Sequence, residues 1–452
     1  MITSHIQQVQ AISDNFFAEN GRKPGMFIRT FGCQMNERES EKLHGLLSAM
    51  GYAESASEEE AELVLYNTCC VRESAENRVY GNLGYLKALK KIVVLCGCMP
   101  QRPEVITEIK RGYRHVNIIF GTFNKHHFPK LLLEYLTHGK QVIEILQDHS
   151  EADKDFDIQT TRFFPHKAGV TIMHGCNNYC SYCIVPHVRG REVSRPVPEI
   201  MQEIEALAAD GVKEVMLLGQ NVNSYEYGFA DLIRKVNEVQ GLERIRFMTS
   251  HPKDLSQDLI DAMRSCEKVC KQIHLPMQSG SSRILEAMNR GYTKEEYLAL
   301  TDRLKGISIS TDIIVGFPGE SEEDFLDTLD AVKKAGFAGA FTFMYSRREG
   351  TPAADLTNEL PKELVHERFN RLLEITKPQQ LAHNQSYIGR TVTIMAEGES
   401  NKPGIFTGRA DDNMLVHFEG SAKPGDMLEV EITGCKTFYA IGTTKKSLRN
   451  KP

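Results

Sequence analysis

Val170-Thr-Ile-Met173-His-Gly-Cys176-Asn-Asn-Tyr-Cys180-Ser-Tyr-Cys183 is an apolar run feeding a loop with three cysteines in eight residues. Short spacers let such a loop curl back on itself, so three thiolates can converge on one soft metal centre. A cubane 4Fe–4S cluster takes four thiolates. The local count stops at three, which leaves one iron without a protein ligand nearby. Zinc is the alternative, since it completes a tetrahedron with a fourth Cys or His, and His174 and His187 are close in sequence. The apolar run reads as a strand, which hangs the cysteines from a strand's carboxyl end, the place where α/β barrels carry their active sites.

C-terminal to this loop the chain keeps a strand–helix rhythm to about residue 380. Strands are expected at 170–173, 214–218, 244–248, 272–275, 310–315 and 339–344. The helix from Pro198 repeats Ile200, Ile204, Leu207 and Ala208 on one face, and Ser321-Glu-Glu-Asp324 has the pattern of a helix start. Six such units make an incomplete (βα)6 barrel, whose open side admits a large substrate. Polar residues follow the strands: Gly219-Gln220-Asn221, Thr249-Ser250-His251, Pro276-Met-Gln278, and Asp312 inside the fifth strand. Gly allows close backbone approach, and the others offer hydrogen bonds without strong basicity. Each alone is equally a turn residue; their common position is what gives the set meaning. Cys266 and Cys270 are expected on one face of a helix as packing residues. His174, His187, His251 and His274 are expected to be structural or substrate-positioning.

N-terminal to the loop, residues 1–24 form an extension, with an amphipathic helix as the expectation. Strands at 26–31, 63–67, 92–96 and 118–120 then alternate with helices at 38–50, from 72, and at 103–110, which implies a parallel α/β sheet over 25–146. Cys33 follows the first strand, Cys69 and Cys70 the second, and Cys96 and Cys98 end the third. Open parallel sheets bind ligands beyond the carboxyl ends of their strands. Thiols far apart in sequence would therefore gather at one edge as a second iron–sulfur site. Chance burial of a small apolar residue suits Cys96, which sits inside an apolar run. An acidic linker at 147–159 separates this domain from the barrel domain at 160–380.

Residues 386–448 change character. Segments 391–395, 414–418 and 427–432 alternate or run apolar between Gly-rich turns, which reads as a small antiparallel β barrel. From Ile432 onward there are five basic residues (Lys436, Lys445, Lys446, Arg449 and Lys451) and no acid, and 449–452 is a basic tail. Such a stretch attracts phosphate in a salt-dependent way.

With 452 residues, 41% hydrophobic and 25% charged, the composition is that of a globular multidomain protein. Nothing approaches the roughly 18 consecutive apolar residues a membrane helix takes, and no secretory signal pattern opens the chain. Eleven cysteines in irregular spacing point to metal work in a reducing compartment, the cytoplasm, rather than a disulfide framework. The net charge of −6 gives no global attraction to nucleic acid, so any RNA contact must be local.

The C-x3-C-x2-C spacing with an aromatic before the last cysteine resembles the radical S-adenosylmethionine (SAM) superfamily. The resemblance implies a 4Fe–4S cluster on Cys176, Cys180 and Cys183 whose open iron binds the amino and carboxylate groups of SAM, with Tyr182 against its adenine. It implies further that Gly219, Gln220 and Asn221 contact the SAM amino group, and that Ser250, Gln278 and Asp312 line its ribose or methionine region. Thr30-Phe-Gly-Cys33-Gln-Met-Asn36, Asn67-Thr-Cys69 with Arg72-Glu73, and Gly97-Cys98-Met resemble the N-terminal domain of the methylthiotransferases. There each motif donates one thiolate to an auxiliary 4Fe–4S cluster, which places Cys33, Cys69 and Cys98 as ligands. This chain departs from the pattern at Cys70 and Cys96, so an exchange of Cys70 for Cys69 is open. The C-terminal barrel resembles the TRAM domain, an RNA-binding module.

Within the methylthiotransferases, Gly190-Arg-Glu-Val-Ser-Arg195 and Leu218-Gly-Gln-Asn-Val-Asn-Ser224 resemble the branch that modifies carbon 2 of N6-isopentenyladenosine beside the anticodon of tRNA. The branches acting on threonylcarbamoyl-adenosine or on a ribosomal-protein aspartate differ in the second segment. The resemblance implies two 4Fe–4S clusters, one SAM as methyl donor, a second as radical source, and sulfur from the auxiliary cluster. It also implies partners: a tRNA anticodon stem-loop, a reductant protein such as flavodoxin or ferredoxin, an iron–sulfur carrier, and no membrane. The competing class is an iron–sulfur RNA-binding regulator without turnover. The polar strand-end loops argue against it, because a passive cluster needs no SAM pocket.

Overall fold

The computed structural model describes residues 2–71, 73–147, 158 and 160–447. Arg72, most of the acidic linker and the 449–452 tail lie outside the described residues. The chain forms two compact units. One is Met1–Phe163 with His174–Asn177 and Cys183–Arg195; the other is Phe164–Met173, Asn178–Tyr182 and Pro196–Pro452. No helix among the described residues is long and apolar enough to cross a membrane.

In the first unit, helix α1 (Ile2–Asn20) precedes a βα series: β1 (Gly25–Thr30), α2 (Gln34–Ala49), β2 (Ala53–Glu54), β3 (Leu63–Thr68), α3 (Glu73–Leu89), β4 (Ile92–Gly97), α4 (Pro103–Gly112), β5 (Ile118–Phe120), α5 (Phe128–His138) and β6 (Val142–Glu144). All strand pairs are parallel, in the order β2-β1-β3-β4-β5-β6. The sequence pattern showed four of these strands; β2 and β6 are too short to carry a period. Parallel strands are buried on both faces and read as continuous apolar runs, and Leu63, Val64, Leu65 and Tyr66 are all fully buried. Leu63, Leu65, Val94 and Cys96 face α1, α2 and α5, while Val64, Tyr66, Val93 and Leu95 face α3 and α4. Cys96 is therefore a core residue. The end of the linker also packs here, with Ile158 in the core and the Thr161 amide donating to the Glu41 carbonyl at 3.1 Å.

Two short strands, β8 (Met173–His174) and β9 (Val193–Ser194), and helix α6 (Val185–Arg189) follow β7 (Lys167–Thr171). The second unit contains β7 and five further parallel strands, β10 (Glu214–Leu218), β11 (Arg244–Phe247), β12 (Gln272–His274), β13 (Ser308–Val315) and β14 (Gly339–Met344). They pair as β11-β10-β7 and β12-β13-β14, joined by the single bridge Ile245–Val269. This is the incomplete six-stranded barrel the pattern implied. Along β13 burial alternates, so Ile309, Ile313 and Val315 face the helices while Ser310 and Asp312 face the interior. Helices α7 (Val197–Ala209), α8 (Phe229–Asn237), α9 (Gln257–Ser265), α10 (Ser282–Ala287), α11 (Lys294–Arg303), α12 (Glu322–Ala335) and α13 (Lys362–Gln385) cover it. Ser321 and Asp324 form the reciprocal cap at the start of α12. Cys266 and Cys270 do not share a helix: α9 ends at Ser265, and the Cys270 amide donates instead to the Ile245 carbonyl at 3.0 Å. Both thiols are buried, as packing residues.

The C-terminal barrel closes as β15-β16-β17-β19-β18, from Thr391–Glu399, Ile405–Ala410, Leu415–Glu419, Met427–Cys435 and Ala440–Ser447. It is not wholly antiparallel, because β17 and β19 run parallel. Lys445 belongs to strand β19 rather than to a tail and pairs with Glu431 at 2.8 Å. Within this unit the small barrel is bolted to the amino-terminal end of β11. Arg244 donates to the Arg409 and Thr393 carbonyls at 2.6 and 2.9 Å, and Arg246 to the Ala410 and Asp411 carbonyls at 2.8 and 3.1 Å.

Candidate functional site

Cys33, Cys69 and Cys98 each stand just past the end of a strand of the first unit: β1 ends at Thr30, β3 at Thr68 and β4 at Gly97. In this strand order the chain leaves β1 for the edge strand β2 and returns to β3 on the other side. The crevice of such a sheet lies at that switch point, which is where Cys33 and Cys69 project. Glycine is required for their approach. Gly32 has φ +129°, and a Cβ there would lie 2.5 Å from the Cys69 Cβ. Gly97 has φ +94°, and a Cβ would lie 2.4 Å from the Thr68 carbonyl oxygen. Asn36 fastens the strand ends, its Nδ2 donating to the Phe31 and Thr68 carbonyls, both at 3.0 Å.

The thiols interact electrostatically with one another, and they have a cation. Arg189 donates Nε to Cys98 Sγ at 3.2 Å, Nη1 to Glu39 at 2.6 Å and Nη2 to Asn36 Oδ1 at 2.7 Å. The Cys70 thiol donating to Cys98, with Arg189 beside it, draws the Cys98 thiol down to about 7 against the effect of burial. Cys70 itself is pushed up by that same bond and by burial. Burial, with Cys98 and Cys33 close by, pushes the Cys69 thiol up to about 12. Burial opposes ionisation of Glu39 as well, but Arg189 and Lys125 hold its carboxyl down at about 2. The structure thus brings Cys33, Cys69 and Cys98 within electrostatic reach of one another, hydrogen-bonds Cys70 to Cys98, and leaves Cys96 in the core. Three thiols just past the ends of neighbouring strands are the kind of donor a 4Fe–4S cluster takes.

Of the three cysteines in the loop, Cys176 and Cys183 lie on segments of the first unit and Cys180 on a segment of the second. The Cys176 amide donates to the Gly190 carbonyl at 3.0 Å. In the second unit the Asn178–Tyr182 segment is held by the end of α10. Ser181 donates its amide to the Met288 carbonyl at 3.0 Å and its hydroxyl to the Ala287 carbonyl at 2.8 Å. Arg290 donates Nη1 to Cys180 Sγ at 3.3 Å and Nη2 to the Pro276 carbonyl at 3.0 Å. Tyr182 packs against Ile284, Met288, Phe317 and Ala353. His187 is exposed on α6.

The polar strand-end residues of the second unit meet a different test. Among the described residues, Asn221 Oδ1, Ser250 Oγ and His251 Nε2 are buried without a hydrogen-bond partner. Buried polar atoms are normally paired, so three orphans at the ends of β10 and β11 fit a polar ligand such as SAM. Gly219 has no room for a side chain, since a Cβ would lie 2.5 Å from Met173 Cγ. Gln278 has φ +68° and exchanges backbone bonds with β13, accepting from Ile314 at 2.9 Å and donating to Asp312 at 2.8 Å. Asp312 Oδ2 sits 3.3 Å from His274 Nε2, whose ring's Nδ1 meets Ser310 Oγ at 3.0 Å. Gln220 is half-buried just past the end of β10.

Three family profiles match, in chain order: "Uncharacterized protein family UPF0004" over residues 25–121, "Radical SAM superfamily" over 170–332 and "TRAM domain" over 385–445. The tRNA-2-methylthio-N(6)-dimethylallyladenosine synthase of Clostridioides difficile (strain 630) is 48% identical over 97% of this chain and 95% of its own length. The protein of the same name from Acetivibrio thermocellus is 49% identical over 97% of this chain and 94% of its own. This chain belongs to the tRNA-2-methylthio-N6-dimethylallyladenosine synthase family. Among solved structures, a radical S-adenosylmethionine methyltransferase, TsrM, from Kitasatospora setae aligns with a TM-score of 0.55. It covers 74% of this chain and 77% of its own, and at 13% identity it speaks for the fold alone.

Sequence reasoning about this synthase missed Arg189, Glu39 and Arg290, the charged groups that touch or brace the cysteines. One signal was available: Arg189 ends an apolar, proline-containing turn, Val185-Pro-His-Val-Arg189, six residues past Cys183. His251 is a case where the neutral form is built in. Burial, then Arg290 and Lys253, push its ring down to about 2, so it stays uncharged in the folded synthase. An unfolded His titrates near 6.5, so the native advantage is complete above that pH and shrinks as pH falls below it. Between pH 7.5 and 6 the unfolding free energy should drop by roughly 1 kcal/mol from this ring. Denaturant unfolding of wild type and His251→Gln at both pH values checks it; equal pH slopes would refute the assignment.

Proposed function

We propose that this protein adds a methylthio group to carbon 2 of N6-isopentenyladenosine beside the anticodon of a tRNA. The observation that carries the proposal is identity near 49% across nearly the whole chain to proteins named for that synthesis. We assign Cys33, Cys69 and Cys98 as ligands of an auxiliary 4Fe–4S cluster, and Cys176, Cys180 and Cys183 as ligands of the cluster that binds SAM. When bound, the second cluster supplies one electron for homolytic cleavage of SAM, and the auxiliary cluster supplies sulfur.

The chain's own residues have complementary tasks in this scheme. Asn221, Ser250 and His251 offer unsatisfied polar atoms to SAM, joined by Gly219, Gln220, Gln278 and Asp312, with Tyr182 against the adenine. Carbon 2 of adenine carries an unactivated C–H bond, so no side-chain base is needed at the reacting atom. An anticodon-loop base is splayed from its stack at modest cost, since unpaired loops are where proteins reach bases. The TRAM domain, residues 386–448, would grip the RNA, with 25–146 as the auxiliary-cluster domain and 160–380 as the radical SAM domain. A flavodoxin or ferredoxin is the proposed reductant, an iron–sulfur carrier the source of replacement cluster, and the cytoplasm the compartment.

Anaerobically reconstituted protein given SAM, reductant and isopentenylated tRNA should release methionine and 5′-deoxyadenosine and form the methylthio nucleoside. Cells lacking the gene should accumulate the isopentenylated base without methylthiolation. Loss of the methylthio group from another nucleoside would redirect the substrate assignment, and cluster binding without SAM cleavage would favour a regulator.

A further inference from the structure

We infer that Arg189 is a positioning residue for the auxiliary cluster, holding the Cys98 sulfur by a hydrogen bond and thereby setting how readily that cluster accepts an electron. The inference rests on Cys33, Cys69 and Cys98 being the ligands. Two features of the geometry and one general principle carry it. First, the Arg189 side chain is only 6% exposed, and its donors are aimed separately: Nε at Cys98 Sγ (3.2 Å), Nη1 at Glu39 (2.6 Å), and Nη2 at Asn36 (2.7 Å) and again at Glu39 (3.1 Å). Glu39 balances the charge, so the bond to sulfur is an additional contact rather than a substitute for a missing carboxylate.

Second, the end of α6 that carries Arg189 is anchored. The Thr122 hydroxyl donates to the Val188 carbonyl at 2.6 Å, and Ile184 and Val188 lie in the apolar cluster that also contains Cys98. A planar fork fixed at both ends presents Nε with little freedom to turn away. Third, hydrogen bonds to the sulfurs of an iron–sulfur centre raise its reduction potential, and outer-shell donors also orient the ligand. Arg189 lies six residues past Cys183, so one short segment would carry a ligand of one cluster and the tuning donor of the other.

The test uses the full-length chain with Cys176→Ala, Cys180→Ala and Cys183→Ala, reconstituted so that the auxiliary cluster is alone. Iron and sulfide analysis comes first: about four irons are required, and absence of iron would remove the ligand assignment itself. Arg189→Gln and Arg189→Lys are then introduced. Both should keep iron but show a midpoint potential more negative than the parent, the Gln variant most, with iron passing to a chelator several-fold faster. Glu39→Gln removes the ion pair while leaving the bond to Cys98; it should lower the melting temperature without a negative shift in potential. An unchanged potential in Arg189→Gln overturns the inference. So does an equal negative shift in Glu39→Gln, which would mark a purely structural effect. If Arg189→Gln holds no iron, Arg189→Lys decides by the same criterion. Loss of iron from both, with the fold intact by circular dichroism, would make Arg189 a cluster-retention residue and also overturn the tuning role.

Discussion

Replacing Cys33, Cys69 and Cys98 together with alanine is expected to lower the iron bound per chain from about eight atoms to about four. Methylthio transfer should fall to background while 5′-deoxyadenosine release persists. The three thiols stand past the ends of β1, β3 and β4, and none is needed to form its strand, so the fold should survive. Cys33 is exposed at the start of α2, and alanine in place of a buried thiol removes only one small atom at Cys69 and Cys98. Single variants resolve the neighbouring pair. Cys70→Ala should keep about eight irons, because Cys69 interacts with both Cys98 and Cys33, whereas Cys70 meets the group as a donor to Cys98. Cys96→Ala should keep them too, since its side chain faces α2 and α5. Should Cys70→Ala lose half the iron and Cys69→Ala lose none, the ligand is Cys70. A triple variant that keeps eight irons would place the second cluster elsewhere.

What the sequence displayed was what period and position can encode. Buried parallel strands announce themselves as apolar runs, and a cysteine directly after such a run is legible as a strand-end residue without any structure. That logic put Cys33, Cys69, Cys70 and Cys98 at strand ends and set Cys96 aside. It failed where the deciding contact is tertiary. Nothing local in Glu39, three residues past Asn36, says that its carboxylate will meet an arginine 150 positions away. Cys266 and Cys270 have helical spacing, yet α9 stops before either of them, and the chain turns to bridge Val269 onto Ile245. The C-terminal barrel looked antiparallel because hairpin neighbours are antiparallel by connectivity. Its closing pair, β17 with β19, is parallel, since the strand between them in sequence pairs elsewhere. Lys445 and Lys446 read as a loose basic tail for the same reason: β19 completes its hydrogen bonds only through closure.

Arg246→Ala should destabilise the second unit by about 3–5 kcal/mol, the usual cost of breaking a buried charge pair from one side. The Arg246 side chain is 3% exposed and pairs with Glu214 at 2.9 Å, itself 11% exposed. Its remaining donors satisfy the Ala410 and Asp411 carbonyls of the small barrel. Truncation leaves a carboxylate inside the radical SAM barrel and takes a donor from two carbonyls, of which Ala410's keeps the Asn413 amide at 3.0 Å; the stranded carboxylate carries its desolvation cost. Arg234→Ala is the control. Arg234 also contacts a carboxylate, Asp258, but both are well exposed, and exposed pairs contribute little; its unfolding curve should overlie wild type. Adding Glu214→Gln to Arg246→Ala should restore part of the loss by removing the stranded charge. The functional consequence follows from where the arginine sits. If the TRAM barrel grips RNA, loosening its seat at the start of β11 blurs the distance between the grip and the strand ends where chemistry occurs. KM for tRNA should then rise while SAM cleavage without tRNA is unchanged, because Asn221, Ser250 and His251 are at the opposite ends of β10 and β11. Stability equal to that of Arg234→Ala would show that the small barrel is held by other contacts, Lys213 to the Gly425 carbonyl and Lys167 to Glu397 being the next in line.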